Sequence, residues 1–368
     1  MAVDLGGTRM KCALVTQDGS VLHRETRPTP QAQGGQAILD AVIRTVTELA
    51  GLARAKGLSP VAAGLAVPGI HDQVHGTVRA ENLSWAGVPV RDALRAAVHE
   101  DQPVVLIHDV RAGGYAELRR GALTGTTNSL FLPLGTGIAA AMVVDGNLLS
   151  GDGYAGEIGH TRFAAPDVAE RCACGQLGCL ETVASAAALA RRYGARTGRT
   201  VDGAREVLEL LAAGDPDAKV VWDDAVQALV DALVMYTTVL APTRIAIGGG
   251  LIGAGETLLR PLREGVTARL TFQRAPEIVA AQLGEEAGCV GAALAAWDAV
   301  RDPVHGTALH AAHDPAGEAA HNAAHDAIGE AAHDAAGEAA DDAAGDAAGE
   351  AARHAAREVA RDERGGAA

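Results

Sequence analysis

The chain has 368 residues, 48% of them hydrophobic but only 3% aromatic, and a formal net charge of −15. Such acidity excludes nucleic acid and anionic membrane as expected partners, and the length accommodates two domains whose cores Ala, Val and Leu must fill. Much of the charge is local: from Arg301 onward 14 acids accompany 5 arginines, leaving −6 for the first 300 residues. No secretory signal opens the chain, because Asp4 interrupts any apolar start. The longest uncharged run, Ala122 to Val144, contains TGTTNS and PLGTG and reads as strands and turns rather than a membrane span. A cytoplasmic location is expected.

The start, MAVDLGGTRMKCALVTQDGSVLHRET, predicts strand, glycine turn, strand, Asp18-Gly19 hairpin and strand. Only three residues precede Asp4, so either the first strand is truncated or the chain continues upstream. Ile38, Val42, Val46, Leu49 and Leu52 follow a helical period between Gly34 and Lys56. Val61 to Val67 predicts a buried strand ending at Pro68-Gly69, and Leu94 to Val98 the close of a second helix. Pro103 to Ile107 predicts a further buried strand ending at His108-Asp109, where α/β folds place ligands. A helix is expected over Val110 to Arg120. Strands at Ser129–Pro133 and Ile138–Val144 follow, with LGTG between them and an Asp145-Gly146 turn after. This repeats the pattern of the N-terminus. Helices are then expected at Thr182–Thr197, Ala204–Ala213 and Ala218–Leu240, and a strand at Arg244–Ile247 running into three glycines. A helix at Glu256–Leu270, a strand at Glu277–Ala281 and a helix at Ala287–Val300 complete an α/β fold with mixed sheets. Residues 301–368 repeat units such as HDAAGEAA with almost no large apolar residue, so a low-complexity, disordered or partly helical tail is expected.

Between Gly156 and Glu181 the chain concentrates Cys172, Cys174 and Cys179 with His160 twelve residues before the first. Three thiolates and an imidazole fill a tetrahedral zinc shell with no open position, which describes a structural ion. A disulfide with a spare thiol, or inert buried thiols, are the other readings, and the first needs an oxidising compartment. The spacing fits neither the H-x-E and C-x-x-C of zinc deaminases nor the H-E-x-x-H of metalloproteases. Cys12 and Cys289 are left as expected buried thiols.

Three glycine turns stand out: DLGGT at 4–8, LGTG at 134–137 and IGGGLIGAG at 247–255. Backbone N–H groups in such turns converge on anions, and glycine lets a phosphate approach closely. None ends in the Gly-Lys-Ser/Thr that the P-loop requires, and a tight hairpin explains any one of them alone. In this order, with GEIGH and CACGQLGCLE between the second and third, they resemble the ROK family of sugar kinases in the actin-like/hexokinase-like ATPase superfamily. The resemblance covers about residues 2 to 300, and bacterial ATP-dependent glucokinases are the nearest look within it. Repressors of the family carry a helix-turn-helix before the first loop, for which three residues leave no room.

The resemblance implies a two-domain α/β fold of the ribonuclease H-like type with a cleft between domains: 1–108 plus 287–300 as the small domain, 109–286 as the large one with the zinc site. It implies a homodimer or homotetramer, and ATP, Mg²⁺ and structural Zn²⁺ as cofactors. Asp4 would lie near Mg²⁺, with Gly6, Gly7 and Thr8 facing the phosphates, Gly135, Thr136 and Gly137 forming a second phosphate loop, and Gly248, Gly249 and Gly250 meeting the adenosine. Gly69, Asn82, His108, Asp109, Glu157, His160 and Glu181 would form the sugar site. The metal ligands would be His160, Cys172, Cys174 and Cys179. Phosphoryl transfer to an alcohol needs in-line positioning, charge neutralisation and a base, and Asp109 is the candidate base, although a helix N-cap role also suits it. Orienting the zinc ligands is the other role open to Glu157 and Glu181. The expected reaction is transfer of the γ-phosphoryl of ATP to the 6-hydroxyl of a hexose, glucose first. Alternatives are another hexose or an N-acetylhexosamine, or a weakly catalytic sugar-binding protein with a regulatory role.

The chain departs from the family where relatives read E-N-D-A-N-A. Here the run is Ile107-His108-Asp109-Val110-Arg111-Ala112, with Ala139 to Ala141 in place of a glycine run and Arg9 in place of a lysine.

Overall fold

The computed structural model describes residues 1–99, 101–163 and 169–302, so the tail expected from 301 lies outside the described residues beyond its first two positions. β1 (Ala2–Leu5), β2 (Arg9–Val15) and β3 (Val21–Pro28) form an antiparallel meander, folded at the DLGGT loop and the Asp18-Gly19 turn. α1 (Gly35–Ala55) buries Ile38, Val42, Val46 and Leu49 along one face against this sheet, as the helical period requires. β4 (Ala63–Val67) is buried throughout and runs parallel to β1. A small antiparallel sheet absent from the sequence reading follows: β5 (Ile70–Asp72), β6 (Thr77–Ala80) and β7 (Trp85–Val88). Its strands are three or four residues long, too short for their alternation to register.

α2 (Val90–Arg95) ends earlier than the expected close at Val98, although the N–H groups of Ala97 and Val98 still return to the Leu94 carbonyl. β8 (Val104–His108) completes the first sheet and leads directly into α3 (Asp109–Arg120). A second sheet is then built from β9 (Ser129–Pro133), β10 (Ala141–Val144) and β11 (Asn147–Leu148). The strand expected from Ile138 begins at Ala141, because the backbone of 138–140 is taken by glycines further along the chain. α4 (Leu180–Ala184) and α5 (Ala186–Thr197) replace the single helix expected over Thr182–Thr197. Ser185 breaks it with an extended backbone (φ −74°, ψ 160°), and its hydroxyl caps α5 by accepting the Ala188 N–H. α6 (Gly203–Ala212) and α7 (Pro216–Leu240) cover the second sheet, which β12 (Arg244–Gly248), α8 (Glu256–Arg269) and β13 (Glu277–Ala280) finish.

The two sheets have the same topology. The first runs β3-β2-β1-β4-β8 and the second β11-β10-β9-β12-β13, each an antiparallel meander followed by parallel strands. α9 (Ala287–Arg301) packs against the first sheet and α3, and α3 in turn packs against β9 and β10 of the second. A Cβ on Gly291 would stand 1.8 Å from the Ala112 carbonyl oxygen of α3, and one on Gly64 of β4 would stand 2.0 Å from the Ala292 carbonyl oxygen. Only glycine permits both approaches. Among the described residues no helix is long and apolar enough to cross a membrane.

Candidate active site

The DLGGT loop is closed on itself and on the end of β3. Gly6 N–H donates to the Arg9 carbonyl (3.0 Å), Thr29 Oγ1 to the Gly6 carbonyl (2.7 Å), and Thr29 N–H to the Thr8 carbonyl (2.9 Å). Gly7 has only the Gln31 side chain near the space its Cβ would take, and Thr8 is exposed, so this stretch presents backbone to the cleft. The LGTG and IGGG turns form a pair. Leu134 N–H donates to the Gly248 carbonyl (2.9 Å), and Leu251 N–H to the Leu134 carbonyl (3.1 Å). Gly249, at φ +76°, would place a Cβ 2.5 Å from the Leu134 carbonyl oxygen, so its glycine is needed for packing. Gly250 has open space around it, and Thr136 and Gly137 are exposed.

Asp4 and Asp109 approach each other from the ends of β1 and β8. Burial first, and then the Asp109 charge, lifts the Asp4 carboxyl to about 6, with Lys11 opposing. Burial also raises Asp109, against the Val110 N–H and the Arg111 charge. Asp109 Oδ1 accepts the Val110 N–H at 2.8 Å, which anchors one oxygen at the start of α3. Its side chain retains 35% of its exposure.

His108 stands between this acid and the opposite wall. Its Nδ1 lies 3.2 Å from Asp109 Oδ1 and its Nε2 3.9 Å from Glu157 Oε1. Burial, reinforced by Arg111, lowers its pKa to about 3. The imidazole is therefore neutral, and these are polar contacts rather than ion pairs. The 3.9 Å gap exceeds a hydrogen bond. Arg111 is buried beneath, donating Nη1–H to the Ser150 carbonyl at 3.1 Å. It supplies a fixed positive charge towards Glu157 and Asp109.

The GEIGH segment owes its glycines to the backbone of residues 138–140 that it lies against. Cβ atoms on Gly156 (φ +103°) and Gly159 would each fall 2.1 Å from a carbonyl oxygen, of Ala140 and Ile138 respectively. That contact occupies residues 138–140 and sets Glu157 facing the cleft. Burial raises the Glu157 carboxyl, with His160 and Arg111 opposing and the charges of Asp109 and Glu181 adding to the rise. Glu181, in the first turn of α4, turns one oxygen to the LGTG loop: Oε2 accepts the Ile138 N–H at 2.8 Å.

His160, Cys172, Cys174 and Cys179 converge so that their ligand atoms lie within 4.8 Å of one another. Cys172 Sγ is 3.6 Å from His160 Nδ1, and Cys174 Sγ is 3.6 Å from Cys179 Sγ. Bonds of about 2.3 Å to sulfur and about 2.0 Å to nitrogen make tetrahedral edges of roughly 3.5 to 3.8 Å, so the spacing suits a zinc ion. All five cysteines are free, and Cys12 and Cys289 are buried as expected.

The expected residues thus fall into one connected set. Asp4, Asp109, His108, Glu157 and Glu181 follow each other around the cleft, and Glu181 meets the second glycine loop. Asn82 is exposed on the turn between β6 and β7, and its carbonyl accepts from Gln31 Nε2 (2.9 Å) beside Gly7. Gly69, at φ +106°, would place a Cβ 2.2 Å from the Arg79 carbonyl oxygen, so it seats β6 and the Asn82 turn. Sequence reasoning missed Gln31, and it missed His71, whose ring lies 6.1 Å from that of His108 and whose Nε2 meets the Val67 carbonyl at 2.9 Å. The link is tertiary: Val67 and His108 are paired across β4 and β8, which no local spacing reveals.

Two duplicated sheets, paired glycine loops and an acid at the end of a central strand define a phosphotransferase of the actin-like/hexokinase-like ATPase superfamily. The ROK family profile matches residues 1–299, and the chain belongs to that family. It is 34% identical over 311 residues to a glucokinase of Thermotoga maritima, covering 80% of this chain and 95% of the relative. A crystal structure of a ROK family glucokinase from Streptomyces griseus, in complex with glucose and AMPPNP, superposes with a TM-score of 0.67. Its identity is 30%, over 79% of this chain and 97% of that one. An N-acetylmannosamine kinase of Pasteurella multocida is also similar, at 27% identity over 83% of this chain and 98% of the relative. The chain is an enzyme of the hexokinase/glucokinase type, a phosphotransferase with an alcohol as acceptor.

Proposed function

We propose that the protein transfers the γ-phosphoryl group of ATP to the 6-hydroxyl of a hexose, glucose foremost, with Asp109 as general base. The observation that carries this reading is Asp109 itself. One oxygen is held by the Val110 N–H, the side chain remains partly open, and its carboxyl is raised towards the range useful for proton transfer. In the step, Asp109 takes the proton of the sugar hydroxyl, that oxygen bonds to the γ-phosphorus, and the bond to the β-phosphate oxygen breaks to release ADP. The loops Gly6–Thr8 and Gly135–Gly137 would meet the phosphates through the N–H groups of Gly7, Thr8, Thr136 and Gly137, those of Gly6 and Gly135 being used within their own turns, and Gly250 leaves room for the adenosine side. Mg²⁺ near Asp4 would neutralise phosphate charge. Asn82, His108, Glu157, His160 and Glu181 would hold the sugar hydroxyls.

His160 Nδ1 and the three thiolates suit a structural zinc with no open position, leaving His160 Nε2 to face the sugar. Two lobes, 1–108 with 287–300 and 109–286, would close over the substrates, in a homodimer or homotetramer.

A second reading has a specific basis. His108 stands where glucokinase-like relatives are expected to have asparagine, so an N-acetylhexosamine such as N-acetylmannosamine is the alternative substrate. The test is ATP-dependent turnover over glucose, mannose, fructose, allose, N-acetylglucosamine and N-acetylmannosamine. Glucose turning over fastest supports the first reading; N-acetylmannosamine turning over fastest replaces it with the second.

A further inference from the structure

Glu181 joins two parts of the cleft that the chain builds separately. Its Oε2 accepts the Ile138 N–H at 2.8 Å, directly after the LGTG turn. The turn has no slack around that bond, since a Cβ on Gly137 would stand 2.5 Å from the same oxygen. A second tie runs nearby: at the Ser185 break between α4 and α5, the Ala186 N–H donates to the Gly135 carbonyl at 2.8 Å. Both ends of the Gly135–Gly137 turn are therefore fastened to the segment 181–186. That segment is itself anchored beside the thiol cluster, because the Leu180 N–H donates to the Thr161 carbonyl at 2.8 Å and Cys179 immediately precedes α4. Among the described residues the other carboxylate oxygen of Glu181, Oε1, accepts no hydrogen bond.

We infer that Glu181 is a positioning residue for the nucleotide, holding the second phosphate loop through Oε2 while Oε1 serves the sugar side. The inference rests on the reading that Gly135 to Gly137 receive phosphate. One carboxylate then couples the two substrates. Sugar bound to Oε1 stiffens the group that fixes the loop, and sugar and nucleotide each bind more tightly in the presence of the other.

The two oxygens separate in mutants. Glu181→Gln keeps a neutral acceptor for the Ile138 N–H, whereas Glu181→Ala removes it and leaves that N–H without its bond. Losing a hydrogen bond to a charged acceptor typically weakens the interaction it supports by about tenfold or more. The experiment is calorimetric titration of the full chain with Mg²⁺ and AMPPNP, without sugar and then with saturating glucose. Expected is a Kd for AMPPNP about tenfold weaker in Glu181→Ala and within about threefold of the parent in Glu181→Gln, with the enhancement by glucose lost in both. Gly137→Ala, which crowds the same oxygen, is a second variant expected to weaken AMPPNP similarly, and it serves if Glu181→Ala does not fold. Unchanged AMPPNP binding in Glu181→Ala, or in Gly137→Ala when the former is unfolded, overturns the inference. It leaves the sugar-kinase reading standing. The reverse outcome, AMPPNP weakened as expected but no sugar phosphorylated by the parent protein, leaves this inference in place and removes that reading.

Discussion

The two walls of the cleft are built by different means. One, from Gly156 to Glu181, is cross-linked: four metal-type ligands within 4.8 Å, two glycines pressed on Ile138 and Ala140, and Glu181 fastened to the LGTG turn. The other is the end of a single strand and the first turn of a single helix, where His108, Asp109 and Arg111 adjust to each other through charge and burial. The GEIGH and CACGQLGCLE motifs lie in the first wall, and His108 and Arg111, departures from the expected E-N-D-A-N-A run, lie in the second. A wall held by many short-range constraints tolerates little change, because each substitution meets a carbonyl oxygen or a ligand atom. A wall defined by charge and burial leaves more freedom in which polar side chain stands beside Asp109.

Breaking the strand-end wall at its base has the largest expected effect. Asp109→Asn removes the proton acceptor while keeping the shape, and kcat should fall by about 10²–10⁴-fold. Retention of more than about a tenth of kcat would take the base role away from Asp109.

Breaking the cross-linked wall comes next. Cys174→Ala should abolish stoichiometric zinc in metal analysis, lower the melting temperature and raise KM for the sugar by about 10- to 100-fold, with a smaller effect on kcat. A Cys174→Ala protein lacking zinc yet fully active would separate the thiol cluster from substrate binding.

The departure itself is tested by His108→Asn. The ratio of kcat/KM for glucose over N-acetylmannosamine should move by about tenfold, since a buried polar group rejects a sugar whose hydroxyl does not match it. An unchanged ratio would mean that His108 does not read the substrate.

The smallest expected effect is on the acid side of the pH profile. The base works ionised and burial raises its carboxyl, so kcat/KM should fall as pH drops through a pKa above the ordinary aspartate value of about 3.9. The Arg111 charge lowers that pKa, so Arg111→Met should move the acid limb to higher pH. A limb that stays in place would show that Arg111 does not bias the base.

Local patterns made most of this legible. The period of α1, the buried runs of β4 and β8 and the two strand–glycine–strand repeats are read from neighbours in sequence, and the duplicated sheets follow from them. The candidate metal ligands were legible because three thiols lie within eight residues. What escaped depends on distant parts of the chain. Ser185 breaks a helix because Ala186 donates to Gly135, some fifty residues earlier, instead of continuing the helical ladder. Ile138 looks like a strand residue, yet its N–H goes to Glu181 and its carbonyl abuts Gly159. His71 joins His108 only through the register of β4 with β8.

Sugar kinase activity is read most directly from a coupled assay of ADP release by the full chain with Mg²⁺ and ATP, with and without each sugar of the panel. Expected is ADP release that depends on a hexose, is fastest with glucose, and yields the 6-phosphate in one-to-one amount. ADP release no faster with any sugar than without, while a sugar still raises the melting temperature, would contradict it and leave a sugar-binding protein in its place.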